Sequence, residues 1–271
     1  MRWNLLRRRI RTGNNQGVRF HLRGNFILVL GMFACLSLLP GGCTTLPDGS
    51  RRIDPFEPIN RVTFGFNMLL DDLILRPLSG VYTTVVPEFV RIPVSRFFVN
   101  VTYVHVIAND FLQGDGDQGF SDIGRLAVNS TLGIGGLFDP ATDMGLPLHE
   151  QNFGVTMAKW GFDEGPYVVL PFFGPSMLRG LPDIPMRIFT NPIYYVDSDT
   201  TRSVLGGVGT VDSVAGSRDA MDEVHKAVNP YIFVREGYRS KQKRLIEGDR
   251  VEEDPFADMP IPEEADEPEG R

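Results

Sequence analysis

Apolar residues recur through the middle of the chain at helical spacing, and in several segments they leave almost no polar face. Asn60 to Leu75 carries Phe64, Phe66, Met68, Leu69, Leu70, Leu73 and Ile74. Arg76-Pro77 is expected to end this helix, because proline lacks the amide hydrogen that a helix interior uses. Pro87 can open a second helix at its first turn. Pro93 then predicts a break or restart, after which Val94 to Leu112 runs on with Phe97, Phe98, Val99, Val101, Val104, Val106, Ile107 and Phe111. The β-branched residues there would also suit a strand, but length and the lack of strict alternation favour helix. Ser121 to Leu132 and Arg218 to Ala227 are further helices. Asn229-Pro230 predicts another start, with Asn229 as N-cap and Pro230 at the first helical position. That amphipathic helix runs to about Lys243 and is basic at its end, with Lys241, Lys243 and Arg244.

Gly- and Pro-rich stretches separate these helices. Thr131 to Pro140 and Gly161 to Gly174 read as turns in which backbone approaches backbone closely. Tyr167 to Leu170 suits a short strand. The expected fold class is therefore mainly α, with few or no short strands. A helix that is apolar all round is either deeply buried or faces lipid. None of these segments reaches the roughly 20 uninterrupted apolar residues that a single span needs. Two readings stay open: a large soluble core, or a domain sitting partly in one membrane leaflet.

The ends of the chain set the compartment. Met1 to Gly24 holds Arg2, Arg7, Arg8, Arg9, Arg11, Arg19 and Arg23 and no acidic residue. The apolar run from Phe26 to Leu39 is about 14 residues, short of a permanent span and suited to a secretory signal. Gly41-Gly42-Cys43 follows, as at the end of a lipoprotein signal, although Pro40 stands where leucine is usual. Of the two cysteines, Cys35 lies in the apolar run. Cys43 would then be the lone thiol of an exported chain and is expected to be the lipid attachment site. Thr44 in place of aspartate favours the outer membrane over inner-membrane retention. Residues 1–42 are thus read as leader, 43–52 as a lipidated linker, 53–246 as one domain and 247–271 as an acidic disordered tail, too poor in large apolar residues to form a core.

Removing the seven leader arginines leaves 20 basic against 34 acidic residues, a net charge of −14. That argues against nucleic acid and against electrostatic docking on anionic lipid. Attachment to a membrane must be apolar or covalent.

Catalytic constellations are not evident. The histidines outside the leader are His105, His149 and His225, with no metal-ligand spacing between them. His105 on an apolar helix reads as a satisfied core residue, and His149 as a loop residue that could lie at the surface. Gly174-Pro175-Ser176 lacks the second glycine of a nucleophile elbow. Gly133 to Gly136 lacks the Lys-Ser/Thr of a phosphate loop. What remains is a set of polar residues in apolar context: Asn60, Arg61, Asn67, Asn100, Asn109, Gln113, Arg125, Asn129 and Arg179. They either tie loops to helices or line a polar path through an apolar ring.

The order of motifs resembles the MlaA/VacJ family. Asp54-Pro55-Phe56-Glu57-Pro58-Ile59-Asn60-Arg61 resembles its opening signature. Asn109-Asp110-Phe111-Leu112-Gln113-Gly114, Arg125, Asn129 to Ala141, Gly165 to Pro171, Gly174-Pro175-Ser176, Arg179 and Asn229-Pro230-Tyr231 follow in the family's order. Gly180 stands where the family commonly has an acid, and Asn229 where it commonly has aspartate. The resemblance implies a helical ring lying in the inner leaflet of the outer membrane, on the periplasmic face, with an amphipathic channel for phospholipids that have strayed into the outer leaflet. It implies a trimeric outer-membrane porin and a periplasmic lipid carrier as partners, an inner-membrane ABC transporter as destination, no cofactor and no catalysis. Candidate channel or gate residues are Asn60, Arg61, Gly65, Phe66, Asn67, Asn109, Arg125, Asn129 and Arg179, with Gly65-Phe66-Asn67 nearest the pore. The competing readings are a structural lipoprotein that binds a porin or surface partner without moving lipid, and a lipid hydrolase built on Ser176.

Overall fold

A computed structural model describes residues 54–248. The leader, the linker with Cys43 and nearly all of the acidic tail lie outside the described residues.

The domain is mainly helical. Helix α1 spans Glu57–Leu70 and passes into a π-helical turn, Asp71–Leu75, and then into α2, Arg76–Val85. The expected stop at Arg76-Pro77 is therefore corrected. In the widened turn the Arg76 amide donates to the Asp71 carbonyl, five residues back. Pro77 therefore sits inside a continuous helix and leaves one carbonyl of the preceding turn without its helical donor, where the widened turn has already shifted the hydrogen-bond pattern.

Helix α3, Glu88–Thr102, contains Pro93 without a break, which corrects the second expected stop. The one carbonyl that Pro93 leaves without its helical donor belongs to Phe89, in the first turn of the helix. The break comes instead at Tyr103, whose amide turns tightly onto the Asn100 carbonyl at 3.3 Å. The expected run from Val94 to Leu112 is thus divided, and α4 is Val104–Leu112. Helix α5 spans Gly116–Thr131, starting earlier than Ser121 because the Asp115 carboxylate accepts from the Gln118 amide at 3.1 Å. Gly119 is buried in it, and a Cβ there would lie 2.9 Å from the Phe111 ring, so the α4–α5 contact depends on glycine.

A short helix α6, Pro140–Asp143, and α7, Phe153–Lys159, lead to strand β1, Tyr167–Leu170. It pairs antiparallel with β2, Gly174–Met177, from Tyr167↔Met177 to Leu170↔Gly174. These are the only strands among the described residues. Helices α8, Asp183–Thr190, and α9, Asp199–Gly216, follow, then α10, Arg218–Lys226, and α11, Pro230–Glu247. The expected cap holds: the Asn229 side chain accepts from the Ile232 amide at 3.3 Å. The apolar core is small. Tyr167, Val169, Met177 and Tyr231 form it, with Phe64, Ile232 and Tyr238 packed around them.

Candidate functional site: a polar interior and its cavity

Most of the buried side chains are polar. Among the described residues, 15 buried polar or charged side chains stand against nine buried apolar ones, while large apolar side chains crowd the surface. A water-soluble domain shows the reverse. Helix α1 gives the local reason. Asn60, Phe64, Asn67 and Asp71 share one face; Asn60 and Asp71 on it are buried. Ile59, Val62, Phe66, Leu69 and Leu73 share the opposite face and are exposed, Val62 to 74%. In α5 the buried residues are Asp122, Arg125 and Asn129, while Phe120 and Ile123 are exposed. In α3, Asn100 is buried and Phe89 is 77% exposed. Periodicity therefore locates these helices but points their apolar faces outward.

The α1 residues bind the hairpin. The Asn60 side chain accepts from the Val169 amide at 2.9 Å and donates to the Tyr167 carbonyl at 3.0 Å. Two turns on, the Asn67 side chain accepts from the Phe172 amide at 2.9 Å and donates to the Leu170 carbonyl at 2.9 Å. The two amides thus satisfy the free edge of β1 where a third strand would otherwise be required. Phe66 packs edge-on against Phe172, ring centroids 5.4 Å apart, and Gly65 has open space beside it. Arg61 pairs with Glu57 at 2.8 Å and lies 4.5 Å over the Tyr231 ring.

Arg125 and Asn129 meet at a cavity. Arg125 is 5% exposed. It donates to Asp139 Oδ2 at 2.7 Å, to Thr142 Oγ1 at 2.9 Å and to the Leu146 carbonyl. Asn129 donates to Asp139 Oδ1 at 2.9 Å and accepts from the Ala141 amide at 3.1 Å. The Gly133 to Gly136 stretch closes this corner as a structural turn. Gly136 has φ +91, and a Cβ there would overlap the Asn100 side chain. The cavity measures about 120 Å³, and its lining includes Arg96, Asn100, Tyr103, Arg125, Asn129 and Leu148.

Asp139 is the anionic centre of this corner. Burial alone would raise its pKa, but hydrogen bonds from Thr142, Asn129 and Arg125 bring it down from 3.8 to about 2. A carboxylate whose folded value is depressed contributes stability above its unfolded value and loses it as pH falls through the folded one. Between about pH 4 and pH 2, Asp139 is therefore expected to remove about 1 kcal/mol, allowing for solvent screening of its exposed part. Urea titrations of wild type and Asp139→Asn at several pH values check this. If the two lose stability in parallel on the acid side, the assignment is wrong.

Asn109 lies elsewhere, fully buried. It accepts from Thr156 Oγ1 at 2.8 Å and donates to the His105 carbonyl at 2.8 Å. His105 contacts Asp183 at 2.9 Å and Thr190 at 3.2 Å, the satisfied core histidine expected from the sequence. Burial would raise the Asp183 carboxyl, but His105, Arg187 and the Phe153 amide hold it below the ordinary range. Arg179 donates to the Phe162 carbonyl at 3.0 Å, apart from the other candidates. The polar residues thus fall into separate groups: α1 with the hairpin, the Arg125–Asn129 cavity, the Asn109–His105 pair, and Arg179. In the first three groups, protein partners satisfy the amides.

Sequence reasoning missed the cluster of Asp110, Asp122 and His149. His149 does lie in a loop, but its side chain turns inward to Asp122 Oδ2 at 3.1 Å. Asp110 and Asp122 are buried at 0% and 1% exposure. Only Asp122 carried a signal in the sequence, as one of the polar residues Asp122, Arg125 and Asn129 that recur at helical spacing.

Comparison with known proteins agrees with the motif order. Residues 52–245 match the family model described as MlaA lipoprotein. A protein of Escherichia coli K12 named "Intermembrane phospholipid transport system lipoprotein MlaA" is 32% identical over 219 residues, covering 78% of this chain and 86% of that one. An uncharacterized protein of Rickettsia felis is 35% identical over 197 residues, covering 72% of this chain and 78% of the other. A solved structure described as "Structural basis for maintenance of bacterial outer membrane lipid asymmetry" superposes with a TM-score of 0.61 at 31% identity, covering 72% of this chain and all of that one. The chain belongs to the MlaA lipoprotein family.

Proposed function

We propose that this protein withdraws phospholipids from the outer leaflet of the bacterial outer membrane and hands them to a periplasmic carrier. One observation carries the reading: the helices turn asparagine, aspartate and arginine inward and phenylalanine, leucine and valine outward. Such a domain is stable where its surroundings are hydrocarbon, since exposing apolar surface to water costs about 25 cal/mol per Å². No helix among the described residues is long and apolar enough to cross a membrane. The domain then lies in one leaflet, held also by acyl groups on Cys43, with a trimeric porin supporting it. Head groups pass by way of the cavity beside Arg125 and Asn129, the other buried amides being held by protein partners, and no bond in the lipid is broken.

The cavity beside Arg125 and Asn129 suits a phosphate-sized group, and the exposed Arg96 on its lining supplies positive charge. Arg96→Ala is expected to slow phospholipid transfer about tenfold, the worth of one charged hydrogen bond, with thermal stability unchanged. Transfer of labelled phospholipid to a carrier measures it; an unchanged rate removes the cavity from the path. The whole reading is tested by deleting the gene and measuring outer-leaflet phospholipid by surface labelling. A rise that wild type reverses and Cys43→Ala does not supports both transport and anchor. No rise, with wild-type protein in the outer membrane and no second copy to compensate, favours a partner-binding lipoprotein that moves no lipid.

A further inference from the structure

The Asp110–Asp122–His149 cluster has no part in the lipid path described above. Asp110 comes from α4, Asp122 from α5 and His149 from the loop between α6 and α7, so three segments converge on one point in the interior. Each offers one ligand atom, and all three atoms lie within 4.8 Å of one another. His149 Nδ1 stands 3.5 Å from Asp110 Oδ1 and 3.1 Å from Asp122 Oδ2. Ligand atoms bound to one tetrahedral ion at about 2.1 Å lie roughly 3.4 Å apart.

The surroundings are asymmetric in an informative way. Asp122 Oδ1 accepts from the Tyr103 hydroxyl at 2.9 Å and from Gln118 at 3.1 Å, which orients Oδ2 toward His149. The Tyr103 oxygen in turn accepts from the His149 amide at 3.1 Å, fixing the loop. Such outer contacts commonly orient metal ligands. Asp110, by contrast, is wholly buried, and neither carboxylate oxygen makes a hydrogen bond of ordinary geometry; the one cationic group facing it is the His149 ring, 3.5 Å from Oδ1. Buried carboxylate oxygens without donors cost several kcal/mol unless they take up a proton or meet a cation. A single proton on Nδ1 serves Asp122 and leaves Asp110, at 3.5 Å, unsatisfied.

We infer that Asp110, Asp122 and His149 form a three-ligand site for a divalent transition ion of the zinc class, with water as the fourth ligand. The pairing of imidazole nitrogen with carboxylate oxygen favours Zn²⁺ over Ca²⁺ or Mg²⁺, which take oxygen ligands. The ion would fasten the loop carrying His149 to the α4–α5 pair. Leu148 on that loop lines the cavity, so the site would hold one wall of it in place.

The test uses the untagged full chain in detergent, stripped with EDTA, and Zn²⁺ as the probe. Calorimetric titration is expected to show one Zn²⁺ per chain, and saturation to raise Tm by about 5 °C or more. Asp110→Asn and His149→Gln are each expected to weaken Zn²⁺ binding at least about 100-fold, whereas His225→Gln, outside the cluster, leaves it unchanged. His149 is partly exposed on a loop, so its variant remains informative should Asp110→Asn fail to fold. Absence of Zn²⁺ binding in wild type overturns the inference. So does equal binding by the His149→Gln variant, or binding of Ca²⁺ or Mg²⁺ in preference to Zn²⁺.

Discussion

Asn60→Leu is expected to lower stability by about 3 kcal/mol, far more than the same change at Asn67. The Asn60 side chain is 3% exposed in the native fold. Leucine would leave the Val169 amide and the Tyr167 carbonyl without their present partner, inside the small apolar core. Each buried backbone group so orphaned costs about 1–3 kcal/mol. At Asn67 the orphaned Phe172 amide sits at an exposed hairpin tip, where water replaces the lost bond, and about 1 kcal/mol is expected. Urea unfolding in detergent measures both. Equal losses at the two positions would show that the hairpin is held by its apolar packing and not by the asparagine pair.

Arg125→Ala carries the second large effect, a loss of about 4 kcal/mol, as expected for one partner removed from a buried ion pair. Asp139 Oδ2, Thr142 and the Leu146 carbonyl all lose a donor at once. Arg125→Lys is expected to recover little, because an ammonium cannot present the guanidinium's planar set of donors to three separated acceptors. Thermal unfolding of Arg125→Ala, Asp139→Asn and the double variant measures the coupling. Additive losses would mean that the two residues act independently, and the cavity corner would need another explanation.

Both predictions concern side chains that the sequence marked without revealing their direction. Asn60, Asn67, Arg125 and Asn129 were legible as polar residues in apolar surroundings, and the helices carrying them followed from periodicity and from caps such as Asn229-Pro230. Two expected helix ends, at Pro77 and Pro93, were misplaced, because proline is tolerated in or near a first turn and a π-turn can shift its position. Helix α9 escaped notice because Gly206, Gly207 and Gly209 argue against a helix by propensity, while tertiary packing imposes one; there the Tyr82 hydroxyl bonds Asp212 at 3.0 Å. Which face of each helix turns inward was left open, between a soluble core and a polar interior within an apolar ring. Periodicity reports that two faces differ, and the solvent decides which is outside. Asp110, Asp122 and His149 were hidden for another reason: they are distant in sequence and meet only through the fold.

The outward phenylalanines also bear on how the molecule reaches its destination. Chaperones recognise exposed greasy side chains as a sign of failed folding, and this domain displays them when folding has succeeded. Its finished form is therefore a poor traveller through an aqueous compartment, prone to clump with its own kind. Kept in water at raised concentration without detergent, the folded chain is expected to associate through these same side chains.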